Sequence, residues 1–161
     1  MLVSNTSTLI LLGKVNMLSA MLDNVKEIAI PKVVYHEIRK KDSFEVLTIN
    51  REVKKGRIKV FDIDKKDYAG IIREFKLDDG EAAAYALLKK IKGKAILTDD
   101  GELIKLCKID GVSFMISMAV VVKMFKNNKL NKSEAIEKLD KLYDYGRYSE
   151  EIYRFFRSEV S

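Results

Sequence analysis

The sequence predicts an α/β domain in which helices cover both faces of a parallel β-sheet, followed by a helical extension. Short apolar runs bounded by Gly, Pro, Asn or Asp alternate with longer segments whose apolar residues recur at helical spacing. Strands that alternate with helices form parallel sheets, because each helix provides the crossover between two strands. At 161 residues the chain is long enough for one such domain and too short for two.

The first half of the chain predicts three strands, at residues 2–4, 28–30 and 58–61. Cap-forming side chains follow the first strand and open an apolar helix that we expect to end at Gly13, with further helical spacing over 17–22. Pro31 follows the second strand, where a helix can begin without losing a needed N–H. That helix ends in basic residues. Helices are then predicted over residues 44–55 and 64–75, on either side of the third strand.

The second half continues the alternation. It predicts a helix over 82–91 with its cap at 77–81, a strand at 95–97, a helix over 102–109, a strand at 112–115 and a buried helix over 119–125. Two amphipathic helices follow from residue 131. We therefore place the α/β domain at residues 1–130 and the helical extension, packed on the same domain, at residues 131–161.

Composition narrows the class of protein. No apolar run approaches the roughly 20 residues of a membrane span, and the N-terminus lacks a secretory signal, so we expect a cytoplasmic protein with no membrane partner. A single cysteine, Cys107, excludes an intramolecular disulfide and a cysteine-based zinc site. The net charge of +6 permits a polyanionic partner. It does not require one, because interspersed lysine and glutamate are typical of a solvated surface.

Acidic and amide side chains stand where predicted strands end and helices begin. They are Asn5, Glu37, Asp79, Glu81, Asp99 and Asp100. In a parallel sheet these junctions lie along one edge, and carboxylates gathered there repel one another unless a cation offsets them or some are protonated. Oxygen ligands without histidine or cysteine suit Mg²⁺ or Mn²⁺.

A structural role is the alternative for most of these residues. Asp79, Glu81 and one of the two aspartates at 99–100 are also suited to helix capping. Glu37 is harder to explain in this way, since it lies among apolar residues on its predicted helix. We interpret His36 as structural and Cys107 as a small residue of the core.

Five motifs, in order and at consistent spacing, resemble one family. They are VSNTSTLI at 3–10, Ile30-Pro31 with VYHEI at 34–38, DGEA at 79–82, LTDD at 97–100, and GRYS at 146–149 leading into Ile152-Tyr153. The chain resembles the PIN-domain proteins, the fold of VapC-type toxin ribonucleases. Within them it is most similar to a prokaryotic group of predicted nucleic-acid-binding proteins.

The resemblance implies a three-layer α/β/α sandwich around a parallel sheet of four to five strands. It also implies metal-dependent cleavage of RNA with Mg²⁺ or Mn²⁺ in an acidic pocket. The family's second acid falls on Glu37, the third on Glu81 with Asp79 beside it, and the fourth on Asp100 with Asp99 adjacent. Ser7 corresponds to a small hydroxyl residue near the metal. A small antitoxin partner and a homodimer are common in VapC-like proteins.

One position departs from the family pattern, because Asn5 stands where PIN nucleases usually have an aspartate. An amide oxygen can still bind a cation, but it carries no charge and cannot act as a base. The residues therefore leave two readings open, a metal-dependent ribonuclease and a PIN domain that binds nucleic acid or a protein partner without cutting. A phosphoryl-accepting receiver domain is a third reading. It is less well supported, because the ends of the third and fifth strands do not clearly supply the aspartate and lysine that such a domain needs.

Basic residues follow two of the acidic positions. We expect them to contact phosphates through sequence-independent, salt-sensitive interactions. They are Arg39, Lys40 and Lys41 after Glu37, and Lys105 and Lys108 after Asp100.

Overall fold

A computed structural model describes residues 1–146 and 148–161, so Arg147 of the predicted GRYS motif lies outside the described residues. Five parallel strands form one sheet in the order β3-β2-β1-β4-β5. They are β1 (Leu2–Ser4), β2 (Ile28–Pro31), β3 (Ile58–Phe61), β4 (Ala95–Leu97) and β5 (Phe114–Met115). The predicted parallel α/β/α sandwich is confirmed.

Helices connect and follow these strands. In chain order they are α1 (Thr6–Lys14), α2 (Leu18–Val25), α3 (Lys32–Arg39), α4 (Phe44–Lys54), α5 (Ala69–Phe75), α6 (Asp79–Ile91), α7 (Gly101–Asp110), α8 (Ser117–Lys126), α9 (Lys132–Tyr145) and α10 (Glu150–Ser158). Alternate strand residues face opposite ways, as the two-residue period of a strand requires. Ile28, Ile30 and Leu97 pack towards α1, α2, α4, α8 and α9, whereas Val3, Ala29 and Ile96 pack towards α5, α6 and α7.

Several helix boundaries differ from the predicted ones, since α6 begins at Asp79 and α8 at Ser117, and two further differences have a reason in tertiary packing. Gly13 does not end α1; a Cβ there would lie 3.0 Å from Cγ of Glu45, so the glycine lets α1 approach α4 closely. The helix expected over 64–75 is divided at Tyr68, where φ is −130° and ψ is −2°. Tyr68 is buried in the core, and the turn before it is a short 3₁₀ helix (Lys65–Asp67). Core burial has overridden helical periodicity here.

The strand order places a topological switch point between β1 and β4. From β1 the chain moves outwards to β2 and β3 on one side, and β4 and β5 are added on the other. In open α/β sheets, ligands bind beyond the carboxyl ends of the strands at such a point. The residues that leave β1 and β4 are Asn5 and the segment Thr98-Asp99-Asp100.

The last two helices pack against the body of the domain. Leu139 and Leu142 of α9 and the nearly terminal Val160 are buried in the larger apolar cluster. Lys138 donates a hydrogen bond of 2.8 Å to the carbonyl of Val15, and Lys126 of α8 pairs with Glu159 at 2.8 Å. Among the described residues, no helix is long and apolar enough to cross a membrane.

Candidate functional site

A cavity of about 390 Å³ opens at the switch point. Its lining includes the first half of α1, the last turn of α3, the caps of α6 and α7, and the end of α9 with the segment that follows it. The elements converge here because parallel strands deliver their carboxyl ends, and the helix N-termini that follow them, to one edge. Most of the predicted acidic positions meet in this cavity.

Asn5 is engaged by its surroundings at both ends of its side chain. It is 1% exposed. Its Oδ1 accepts a hydrogen bond from the backbone N–H of Thr8 and so caps α1, at 3.1 Å. Its Nδ2 donates to Thr98 Oγ1, at 2.9 Å. Asn5 thus ties β1 to β4 and holds the first turn of α1 in place.

Asp99 is hydrogen-bonded through both carboxylate oxygens. Oδ2 accepts from Thr8 Oγ1 at 2.9 Å and from Ser117 Oγ at 2.6 Å. Oδ1 accepts from the Ser117 N–H at 3.0 Å and from the Tyr148 hydroxyl. Burial, and then the Asp99 charge, raise the pKa of Tyr148, so its hydroxyl stays protonated and donates. Four donors from three elements leave Asp99 little capacity to bind anything else.

Asp100 and Glu81 cap helices while keeping their carboxylates in the cavity. Asp100 accepts from the N–H of Leu103 at the start of α7, at 2.9 Å, through one oxygen. Glu81 belongs to a capping box at the start of α6, in which Asp78 accepts from the Glu81 N–H at 2.8 Å and Glu81 accepts from the Asp78 N–H at 3.1 Å. The structure thus contains the helix caps that the sequence offered as an alternative. The second carboxylate oxygen of Glu81 and of Asp100 takes no part in these capping bonds.

Glu37 has an unpaired oxygen. Its Oε1 is buried and has no hydrogen-bond partner among the described residues, and neither has the nearby Thr6 Oγ1. A Cβ on Gly80, in the first turn of α6, would lie 2.3 Å from Glu37 Oε1. Only glycine therefore allows the carboxylate to lie so close to this helix start. Gly80 thus leaves room for the Glu37 carboxylate, and the described residues give its Oε1 no hydrogen bond.

The cavity holds negative charge that is incompletely compensated. Burial raises the pKa of Glu81 to about 7, assisted by the charges of Asp78 and Asp100 and opposed by the Asp78 N–H. Burial, followed by the Asp78 charge, also raises the pKa of Glu37; the Lys41 charge opposes that shift, as does the Thr6 hydroxyl, which lies near the carboxylate without the geometry of a hydrogen bond. Both shifts have the direction expected where carboxylates gather without a cation.

The predicted residues divide into two groups. Those that line the cavity are Asn5, Ser7, Glu37, Lys41, Glu81, Asp99 and Asp100. Asp79, Arg39, Lys40 and Lys105 do not line it; Asp79 is exposed, and Lys105 and Lys108 line a separate shallow depression on α7. Asp78 occupies the lining in place of Asp79, which a capping box of Asp78 with Glu81 could have indicated from sequence.

The donors fit an open magnesium or manganese site better than a closed cage. Among residues 1–146 and 148–161, no three carboxylate, histidine or cysteine groups are close enough together to enclose a metal ion. Mg²⁺ is usually bound through one or two carboxylates, with waters and substrate phosphates completing its coordination. The unpaired oxygen of Glu37 and the raised pKa values of Glu37 and Glu81 suit such a partner.

Comparison with known proteins identifies the family of the chain. No curated protein matches the chain significantly. A family model, DUF3368, which is described as a PIN domain, matches residues 1–161 and so covers both the sheet and the C-terminal helices. The cavity at the β1–β4 switch point thus lies in a chain that belongs to this PIN-domain family.

Proposed function

We propose that the protein is a metal-dependent endoribonuclease that hydrolyses RNA phosphodiester bonds with Mg²⁺ or Mn²⁺. PIN domains are generally nucleases and typically use divalent metal ions, which supports the reaction class. The observation that carries the proposal is the buried Glu37 oxygen, which has no hydrogen-bond partner among residues 1–146 and 148–161 and shares one cavity with Glu81 and Asp100. Glu81 and Asp100 also cap helices, but a bound cation would offset the charge that these three partly desolvated carboxylates gather at this point.

In this proposal the side chains have separate roles. Glu37, Glu81 and Asp100 would bind the cation directly or through water, by oxygens that the capping bonds do not use. Asp99 and Asn5 position them: Asp99 through its four donors, and Asn5 through Thr98, whose Oγ1 also accepts from the Asp100 N–H at 3.1 Å. Ser7 and Lys41 face the cavity where a phosphate would lie. A bound Mg²⁺ or Mn²⁺ supplies a Lewis acid and activates a water.

A cleavage assay tests the proposal with a cap-preserving variant. Purified protein should cut RNA only when Mn²⁺ or Mg²⁺ is present. Asp100→Asn keeps an acceptor for the Leu103 N–H and removes the charge, so it should fold normally and lose at least about a hundred-fold in rate. Lys105→Ala, outside the cavity, is the control. Equal trace activity in wild type and Asp100→Asn after further purification would identify a contaminant and refute the proposal.

The engagement of Asn5 supports a second candidate, a PIN domain that binds RNA or a protein partner with little or no catalysis. Asparagine contributes no charge at the position that usually carries an acid. Both its Oδ1 and its Nδ2 are also engaged in hydrogen bonds within the protein. This candidate predicts salt-dependent RNA binding without cleavage. Asn5→Asp should then create activity, since the Thr98 hydroxyl can rotate to donate to the new carboxylate. An inert Asn5→Asp protein would show that more than this ligand is missing.

A toxin role in the cytoplasm, with a small antitoxin and a homodimeric state, extends the proposal through the resemblance to VapC-type proteins. We also propose that residues 131–161 are a helical extension of the α/β domain and not a separate domain. Expression in a bacterial host should arrest growth, and the Asp100→Asn variant should not. Growth unaffected by an active wild-type enzyme would separate ribonuclease activity from a toxin role.

A further inference from the structure

The cavity has a second group of lining residues that the carboxylate site does not use. Ile10 and Leu11 of α1 contribute apolar surface, and Tyr145, the last residue of α9, contributes an aromatic ring. Tyr145 is 54% exposed, whereas most of the molecule's aromatic side chains are covered to a greater degree. An exposed ring that lines the same cavity as apolar side chains and a cluster of acids suits a partner that is apolar on one side and ionic on the other.

A cation lies beside this ring. Lys14, one turn after Ile10 on α1, places Nζ 5.2 Å from the centroid of the Tyr145 ring. Lys41 lines the cavity as well. The apolar surface is therefore accompanied by two lysines that can contact an anionic backbone, while the carboxylates of Glu37, Glu81 and Asp100 belong to other elements.

We propose that Tyr145, with Ile10 and Leu11, forms a subsite for one unpaired nucleobase next to the phosphate that enters the acidic part of the cavity. This inference rests on the proposed function, since it takes RNA as the ligand. Aromatic side chains bind single-stranded nucleic acid by stacking on bases, and the flanking cations track the backbone. A volume of about 390 Å³ is within the range of small-molecule sites. A base inside a duplex has no free face, so the subsite selects single-stranded RNA.

The test measures binding without catalysis. Anisotropy of a labelled single-stranded oligouridylate, with EDTA present, gives the affinity of the full chain. An oligonucleotide of the same length with abasic positions gives the contribution of the backbone alone. Tyr145→Ala should weaken binding of the oligouridylate by roughly ten-fold and leave binding of the abasic strand nearly unchanged. Tyr145→Phe should bind within about two-fold of wild type, because stacking uses the ring.

Two control variants make the result specific. Tyr143→Ala removes an aromatic residue two positions earlier, whose ring stacks on Tyr153 at 4.4 Å and which does not line the cavity; it should leave both affinities unchanged. Lys14→Ala should weaken both strands equally and reduce the salt dependence.

The subsite is refuted if Tyr145→Ala binds both strands like wild type, or weakens both equally, or if the wild-type chain does not distinguish the two strands. These results are independent of the nuclease proposal. A chain that never cleaves RNA can still show the Tyr145-dependent preference for bases. An active nuclease whose Tyr145→Ala variant binds and cuts single strands like wild type would keep its function and lose the subsite.

Discussion

Two sets of polar residues share one edge of the sheet and differ in how far the protein satisfies their hydrogen bonds. In the central set, Asn5 donates to Thr98 and accepts from Thr8, and Asp99 accepts four hydrogen bonds, from Thr8, Ser117 and Tyr148. In the outer set, Glu37, Glu81 and Asp100 keep oxygens that the described residues do not satisfy. A distance of one residue, from Asp99 to Asp100, separates the two.

The difference shows that position at a sheet edge does not decide a carboxylate's role. Burying a charge is costly unless hydrogen bonds or an opposite charge compensate it. The central set is compensated within the protein and therefore stabilises the fold by joining β1, β4 and the chain after α9. In the outer set, burial and then the neighbouring carboxylate charges raise the pKa values of Glu37 and Glu81, and these side chains remain available to a ligand.

The largest effect on stability should come from Asp99. Asp99→Asn replaces an acceptor of four hydrogen bonds with an amide whose NH₂ faces two of the same donors, so two bonds are lost and donors are opposed. We expect the free energy of unfolding to fall by about 3–5 kcal/mol in urea denaturation. In Asp100→Asn, which keeps its helix cap, the free energy of unfolding should fall by less than about 1 kcal/mol. Similar losses in the two variants would contradict the division into two sets.

A smaller loss should follow from the link between Asp99 and the C-terminal segment. Tyr148→Phe removes one of the four donors to a charged acceptor and should cost about 1.5–2 kcal/mol. Tyr153→Phe is the matched control. Its hydroxyl donates to Asp140 and accepts from Arg157 in a partly exposed cluster where Arg157 also contacts Asp140 directly at 2.7 Å, so its loss should be below about 1 kcal/mol. Equal costs would mean that Asp99 does not depend on Tyr148.

The sequence was sufficient for the fold, because alternation of strand and helix patterns determines the class of sheet. The positions of Asn5, Glu37, Glu81 and Asp100 could also be placed at one edge. What could not be predicted is which acids are already satisfied. Ser117 and Tyr148 lie far from Asp99 in the chain, and nothing local marks them as its donors. Tertiary hydrogen bonds separate the two sets.

Glu37 should respond to neutralisation in the opposite sense to a paired glutamate. Glu37→Gln removes a partly buried charge whose Oε1 has no hydrogen-bond partner in the part of the chain that the structure describes, so metal-free stability should rise by about 1 kcal/mol. Glu52→Gln is the matched control. Glu52 is 1% exposed and pairs with Arg57 at 2.6 Å, so its variant should lose stability. Mn²⁺ should stabilise wild type and have little effect on Glu37→Gln; equal stabilisation would exclude Glu37 as a ligand.

The smallest effect expected is a pH dependence at Glu81. Its pKa is about 7 in the folded state against an ordinary value of 4.5, so between these values the folded chain holds a proton that the unfolded chain has released. Metal-free stability should therefore be greatest near the lower value and fall as the pH rises towards 7. Because solvent reaches part of the side chain, we expect a change of about 1 kcal/mol.

The variant Glu81→Gln isolates this contribution. Glutamine keeps the acceptor that the capping box needs and cannot titrate. The free energy of unfolding should therefore fall less steeply with pH in Glu81→Gln than in wild type. The part of the fall that is due to Glu37 should remain. Denaturation series at fixed ionic strength measure the slope. Mn²⁺ should oppose the decline in wild type, since it binds the deprotonated carboxylate and so stabilises the folded state at higher pH. An identical slope in wild type and Glu81→Gln would place Glu81 with the compensated residues, and the outer set would then reduce to Glu37 and Asp100.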